Sequence, residues 1–210
     1  MSLLGTNVPT FNAPAVVNGK EIVENFSLEH FIGEKYIVLF FYPADFTFIC
    51  PTEILKFQEY LPEFEKRKTA VVGCSTDSQY SHLRWLKMTK EEGGIQGVTF
   101  PLISDQTLTI STNFGVLSGA FNYNERGESF FDGLPVAFRA TFIIDRQGII
   151  RYETINDLNI GRSVEEILRT LYAIQHYEKT GELCPADWKK DNKAIKPNFE
   201  DFTKFLKEQK

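Results

Sequence analysis

Only three cysteines, Cys50, Cys74 and Cys184, occur in 210 residues, and no two stand in a C-x-x-C spacing. That excludes a disulfide framework and argues against a dithiol motif of the thioredoxin kind. Histidine is as sparse. His30, His82 and His176 fall one to a segment without an H-x-x-x-H pattern, so no metal site is expected and all three read as structural or surface residues. The longest apolar run, Tyr36 to Tyr42, is far shorter than a membrane span. Net charge is −5 and no Lys/Arg cluster interleaves with aromatics, so neither nucleic acid nor membrane is an expected partner. Met1-Ser2-Leu3-Leu4-Gly5 lacks the charged start and long apolar core of a signal peptide, and a cytoplasmic location is expected. With 42% hydrophobic and 24% charged residues, the composition is that of a globular domain with a substantial core.

Against this background Cys50 stands out. It follows the apolar run Tyr36 to Tyr42 and the segment Pro43-Ala44-Asp45-Phe46-Thr47-Phe48-Ile49, and it precedes Pro51-Thr52-Glu53 and a helix-like pattern. A thiol where a strand hands over to a helix start lies at the positive end of the helix dipole, which favours the thiolate. A nucleophilic or redox cysteine is expected there. Cys74 is the opposite case, set in an apolar run without charged neighbours, and reads as structural.

Periodicity predicts a buried central strand over Lys35 to Tyr42 and a helix over Thr52 to Lys68, with Ile54, Phe57, Leu61 and Phe64 on one face. Pro62 should end or kink that helix. A second buried strand is expected over Thr69 to Ser75. Thr76-Asp77-Ser78 offers an N-cap for a helix over Gln79 to Met88. Gly93-Gly94 breaks the chain before a short strand, Thr99 to Ile103, and Leu108 to Phe114 fits a short helix. Arg139 to Ile144 and Gly148 to Glu153 flank a hairpin connection. Ser163 to Glu166 fits a capping box opening a helix to about Tyr177. This order predicts an α/β fold with a mixed central sheet flanked by helices over residues 1–180. Residues 181–210 read as an extended C-terminal tail with one short amphipathic helix around Phe199, Phe202, Phe205 and Leu206, packed on a neighbour or on the core.

At this point the motifs converge. Tyr42-Pro43-x-x-x-Thr47-x-x-Cys50-Pro51-Thr52-Glu53 resembles the active-site motif of the peroxiredoxins. Gly181-Glu182-Leu183-Cys184-Pro185-Ala186-Asp187-Trp188 resembles the resolving-cysteine segment of their typical two-cysteine class. Ser81-His82-Leu83-x-Trp85, Arg139 to Asp145 and Gly161-Arg162-Ser163 add further matches in family order. The alkyl hydroperoxide reductase and thiol-specific antioxidant branches are both close. The resemblance implies a thioredoxin-like fold and reduction of hydrogen peroxide or alkyl hydroperoxides, with no metal, flavin or haem. It implies that Cys50 is the peroxidatic thiol and that Thr47 hydrogen-bonds the peroxide. Arg139 would stabilise thiolate and leaving oxygen, and Pro43 would shield the pocket. Cys184 would be the resolving thiol, condensing with the partner subunit's oxidised cysteine. Thioredoxin or a flavoprotein disulfide reductase would recycle the disulfide, and the assembly would be a homodimer within a decameric ring. Glu53 is suitably placed to orient an arginine. Read without the resemblance, Thr47 could instead cap a helix and Arg139 could be a surface ion-pair partner. Arg162 could support the site's charge or cap a helix.

The chain departs from the family pattern in three places. Gly93-Gly94-Ile95-Gln96 replaces a Gly-Gly-Leu-Gly run, and Phe205-Leu206 stands where sensitive members carry Tyr-Phe, so intermediate sensitivity to over-oxidation is expected. Between Leu117 and Arg139 an insert, Ser118 to Leu134, is expected to form a surface loop or hairpin.

Overall fold

The computed structural model describes residues 2–208. Two compact units divide the chain, Met1–Arg162 and Ser163–Lys210.

The first unit is built on a seven-stranded mixed sheet. Strands β1 (Ala13–Val17), β2 (Glu21–Phe26), β3 (Tyr36–Phe41), β4 (Thr69–Ser75), β5 (Leu102–Ser104), β8 (Arg139–Ile144) and β9 (Ile150–Asn156) lie in the order β2-β1-β5-β4-β3-β8-β9. β3 pairs parallel with β4 and antiparallel with β8, so it is an interior strand of the sheet. It is buried along its whole length, which is why it reads as an unbroken apolar run rather than an alternating one. One face of β3, β5 and β8 lines a core that includes Leu39, Phe41, Ile103 and Phe142, with Phe114 packed in the same cluster.

Helix α1 (Cys50–Lys66) packs on β4, and its Phe57 ring stacks on Phe40 at 4.2 Å between centroids. It continues past Pro62 to Lys66, so the proline does not end it. Pro62 lies on the exposed face, where the carbonyl four residues back can turn to water, while Ile54, Phe57 and Phe64 are fully buried. Burying each of those side chains gains about 1.5–3 kcal/mol, which together exceeds the cost of about 3 kcal/mol for an internal proline. Helix α2 (Gln79–Lys87) is capped by Ser78, whose Oγ accepts from the Ser81 N–H at 3.2 Å. α2 packs against β1 and β5. A short helix α3 (Thr109–Asn113) follows β5.

The N-terminal hairpin β1–β2 was not anticipated from periodicity. Its signal is Asn18-Gly19, both at positive φ (53° and 69°), in the three-residue connection between the paired residues Val17 and Glu21. A Cβ on Gly19 would lie 2.5 Å from the Val98 carbonyl oxygen, so glycine is required twice over. The insert does form a hairpin, β6 (Ala120–Tyr123) with β7 (Ser129–Asp132), a two-stranded sheet of its own with mostly exposed side chains. The β8–β9 connection is tied by Asp145, whose buried carboxylate accepts from the N–H groups of Gln147 and Ile149, both at 2.9 Å.

In the second unit, α4 (Val164–Thr180) starts at Ser163, whose Oγ accepts from the Glu166 N–H at 3.2 Å. The expected capping box is only half made. The Glu166 carboxylate turns to Arg169 instead, with contacts of 2.6 and 2.7 Å. Gly181 ends the helix at φ 72°. Leu183 and Ile195 then form an antiparallel bridge, Trp188 is buried, and α5 (Phe199–Glu208) leaves Phe199, Phe202 and Leu206 exposed. Elsewhere the expected strand and helix ends differ from the observed ones by a few residues, because element ends fray.

Candidate active site

The segment between β3 and α1 is held from below by a polar network. Asp45, itself buried, accepts from Tyr42 Oη at 2.9 Å and Ser81 Oγ at 2.8 Å, and faces His82 Nδ1 at 2.8 Å. Its N–H donates to Asp77 Oδ2 at 2.7 Å. Burial, reinforced by the Asp45 charge, pushes the Tyr42 phenol well above its ordinary value, so it acts as a neutral donor. Phe46 takes φ 55° and turns its ring to within 5.7 Å of the Trp85 ring. This anchoring sets where Thr47 and Cys50 emerge. Pro43 is buried at the start of the segment. Thr47 is half-buried and donates its hydroxyl hydrogen to the Ala44 carbonyl at 3.0 Å.

Cys50 begins α1. The capping position is Ile49, without a side-chain bond, so Thr47 does not cap this helix, and Pro51 in the first turn sacrifices no needed donor. Cys50 is fully buried. Arg139, at the start of β8, donates from Nη1 to Cys50 Sγ at 3.4 Å and to Glu53 Oε2 at 2.7 Å. Its Nε is held by the Leu158 carbonyl at 2.7 Å. Arg139 is thus no surface ion-pair partner but a buried cation, with 3% exposure.

Arg162 completes the arrangement and settles the alternative left open for it. Its side chain donates to Glu53 Oε1 and Oε2 at 2.9 and 2.8 Å, its backbone N–H donates to Oε1 at 2.9 Å, and its Nη1 donates to the Ala140 carbonyl at 2.7 Å. Helix capping falls to Ser163. Burial alone would raise the Glu53 pKa, but hydrogen bonds and charge from Arg162, and then Arg139, outweigh it and lower the pKa. An ionised Glu53 fixes both guanidinium planes, and one of them is aimed at the sulfur. Sequence reasoning found Cys50, Glu53 and Arg139, and the structure brings them together. It left Arg162 undecided because an arginine beside a serine N-cap carries no local signature of a partner 109 residues away.

Cys184 lies in the second unit, half-buried, with Sγ donating to the Ala173 carbonyl at 3.6 Å. Burial raises its pKa above the ordinary thiol value, Arg169 opposes that shift, and Glu182 adds to it. Cys50, Cys74 and Cys184 are all free thiols. Cys74 is fully buried in β4, and desolvation, with a contribution from the Asp105 charge, pushes its pKa well up.

Comparison with known proteins agrees with this geometry. Residues 4–153 match the AhpC/TSA family, and residues 173–209 match the C-terminal domain of 1-Cys peroxiredoxin. The chain is 46% identical to a chloroplastic 2-Cys peroxiredoxin BAS1 of Hordeum vulgare, over 94% of this chain and 87% of that one. It is 43% identical to Peroxiredoxin-2 of Mus musculus over 97% and 94% of the two chains. A thioredoxin peroxidase of Echinococcus granulosus is 42% identical, over 98% of each chain. Among solved structures, the reduced 2-Cys peroxiredoxin of Plasmodium vivax superposes with a TM-score of 0.87 at 40% identity, covering 99% of this chain and 100% of that one. A strand-to-helix cysteine under an arginine, on a thioredoxin-like sheet that matches these proteins almost end to end, places the chain in the peroxiredoxin family, in its 2-Cys branch, as a thiol-dependent peroxidase.

Proposed function

We propose that Cys50 is the peroxidatic thiol and Cys184 the resolving thiol of a hydroperoxide reductase working as a homodimer. The observation that carries the reading is the buried Arg139 guanidinium shared between Cys50 Sγ, at 3.4 Å, and the Glu53 carboxylate, at 2.7 Å. The Cys50 thiolate attacks one peroxide oxygen. The S–O bond forms as the O–O bond breaks, and the leaving oxygen departs as alcohol or water after taking a proton. Charge grows on that oxygen, and a fixed guanidinium beside it stabilises the transition state more than the ground state. Thr47 has already committed its hydrogen to Ala44, so its lone pairs are free to accept from the peroxide O–H. Pro43 closes the wall of the site, and Glu53 orients the guanidinium.

The product, a Cys50 sulfenic acid, condenses with the Cys184 thiol of the partner subunit, releasing water and forming a disulfide. A dithiol donor, thioredoxin or a flavoprotein disulfide reductase, returns two electrons and regenerates both thiols. Hydrogen peroxide and alkyl hydroperoxides are the substrates. Residues 1–180 form the peroxidase domain, residues 181–210 form the tail that delivers Cys184, and the enzyme acts in the cytoplasm. Assembly into dimers and a decameric ring is supported by the position of β9 at the sheet edge with Ile155 half-exposed, and by Phe48, 95% exposed beside the site.

The test is non-reducing electrophoresis after one equivalent of peroxide, with wild type and each cysteine variant. Wild type should give a disulfide-linked dimer that Cys50→Ser and Cys184→Ser both abolish and Cys74→Ser does not. Intact thioredoxin-coupled turnover in Cys184→Ser would make this a one-cysteine peroxidase instead.

A further inference from the structure

The loop over residues 157–161 contributes no side chain to the chemistry, yet its backbone and the residue that follows it orient the site. The Leu158 carbonyl accepts from Arg139 Nε at 2.7 Å, and the next residue after the loop, Arg162, donates its N–H to Glu53 at 2.9 Å. A Cβ on Gly161 would lie 3.5 Å from Ile49 and 3.9 Å from Glu53 Oε1, so the loop lies against the first turn of α1. Of its five residues, four are exposed and Leu158 is half-buried. Little apolar burial holds it, and a loop of that kind opens at low free-energy cost unless polar contacts fix it.

Those contacts start at Asn156. It is the last residue of β9 and the register partner of Arg139 in the β8–β9 ladder. Its Nδ2 donates to the carbonyls of both Ile160 and Gly161, each at 3.2 Å. Within the loop, the Ile160 N–H donates to the Asp157 carbonyl at 3.0 Å and the Asn159 N–H to Asp157 Oδ1 at 3.2 Å. One primary amide therefore ties the far end of the loop back to the strand that faces Arg139. Only a side chain with two donors at this length can bond both carbonyls; aspartate offers acceptors alone and serine is too short.

We propose that Asn156 is a positioning residue for peroxide reduction. By clamping the Ile160 and Gly161 carbonyls it fixes the Leu158 carbonyl, which sets the plane of the Arg139 guanidinium beside Cys50. This rests on the role given to Arg139 above. It differs from a merely structural role because the loss should be confined to steps that need Arg139.

The test compares Asn156→Ala and the isosteric Asn156→Asp with wild type, alone and combined with Arg139→Lys, in the full chain. Stopped flow follows oxidation of Cys50 by hydrogen peroxide, and iodoacetamide labelling of Cys50 is followed in parallel. Each Asn156 variant should slow the peroxide reaction by about tenfold, the rate equivalent of about 1.4 kcal/mol. Labelling should be no faster than in wild type. Added to Arg139→Lys, which has no guanidinium plane for Leu158 to hold, the same change should cost nothing more. Faster labelling means that buried Cys50 has been uncovered by general loosening, and that outcome overturns the proposal. So does a multiplicative loss in the double variant, or a wild-type rate in either single variant. If Arg139→Lys itself reacts at the wild-type rate, the Arg139 reading fails and takes this one with it. A slow Arg139→Lys beside a fast Asn156→Ala sinks the Asn156 role alone.

Discussion

Glu53→Gln keeps the shape of the side chain and removes one charge, and the structure shows what that charge balances. Four N–H groups converge on the carboxylate, one from Arg139 and three from Arg162, at 2.7 to 2.9 Å. The two guanidinium side chains are 4% and 1% exposed and share this single anion. Removing one partner of a buried ion pair costs about 3–5 kcal/mol, because the remaining charge stays desolvated. The glutamine amide also turns two donors toward groups that can only donate. With a urea m-value of about 2–3 kcal/mol/M, the unfolding midpoint at neutral pH should fall by roughly 1–2.5 M at fixed protein concentration. The pH dependence follows from the lowered Glu53 pKa. A carboxyl lowered by folding contributes stability that is fully present above its unfolded pKa, about 4.3. That contribution is lost as pH falls through the folded value. The gap between wild type and Glu53→Gln should thus be constant from neutrality to about pH 5 and close below about 4.3. Urea titrations across that range, read by tryptophan fluorescence, measure it. Equal midpoints at pH 7, or a gap that widens on acidification, would refute the reasoning.

Because burial raises the Cys184 pKa, this thiol is under-ionised at neutral pH, and the disulfide-forming step after peroxide addition should speed up with pH without levelling off below about pH 8.5. Single-turnover kinetics across pH 6–9 would contradict this by showing a plateau near neutrality. Cys74→Ala should leave peroxide reduction within about twofold of wild type while lowering stability by about 1 kcal/mol, since the thiol is fully buried and touches none of the reacting groups. A large activity loss without a stability loss would give Cys74 a role it is denied here. The tail keeps an apolar helix but has Phe205-Leu206 where sensitive relatives carry a tyrosine, so Cys50 should reach sulfinic acid only above stoichiometric peroxide. Mass spectrometry over a peroxide titration checks this, and sulfinic acid at one equivalent would count against it.

Much of this protein is written in local patterns. The unbroken apolar run of β3, the motif around Cys50, the caps at Ser78 and Ser163, and the hairpin character of the insert each depend on a few neighbouring residues, and each appears in the structure at or near the expected place. Even the N-terminal hairpin had its signal in Asn18-Gly19, though its membership of the main sheet comes from pairing with β5. Pro62 shows the limit. A strong local preference for ending a helix yields to aromatic burial that exists only once α1 lies on the sheet. The site shows it again. Cys50 announced itself, but the guanidinium beside it comes from 89 residues downstream, brought there by the antiparallel pairing of β8 with β3. Asn156 gains its part through the pairing of β9 with β8, and Leu158 and Arg162 follow it in the chain. Short-range sterics and hydrophobic periodicity are properties of the chain itself, whereas which charge faces which sulfur is decided by strand register, a long-range outcome of packing the whole core.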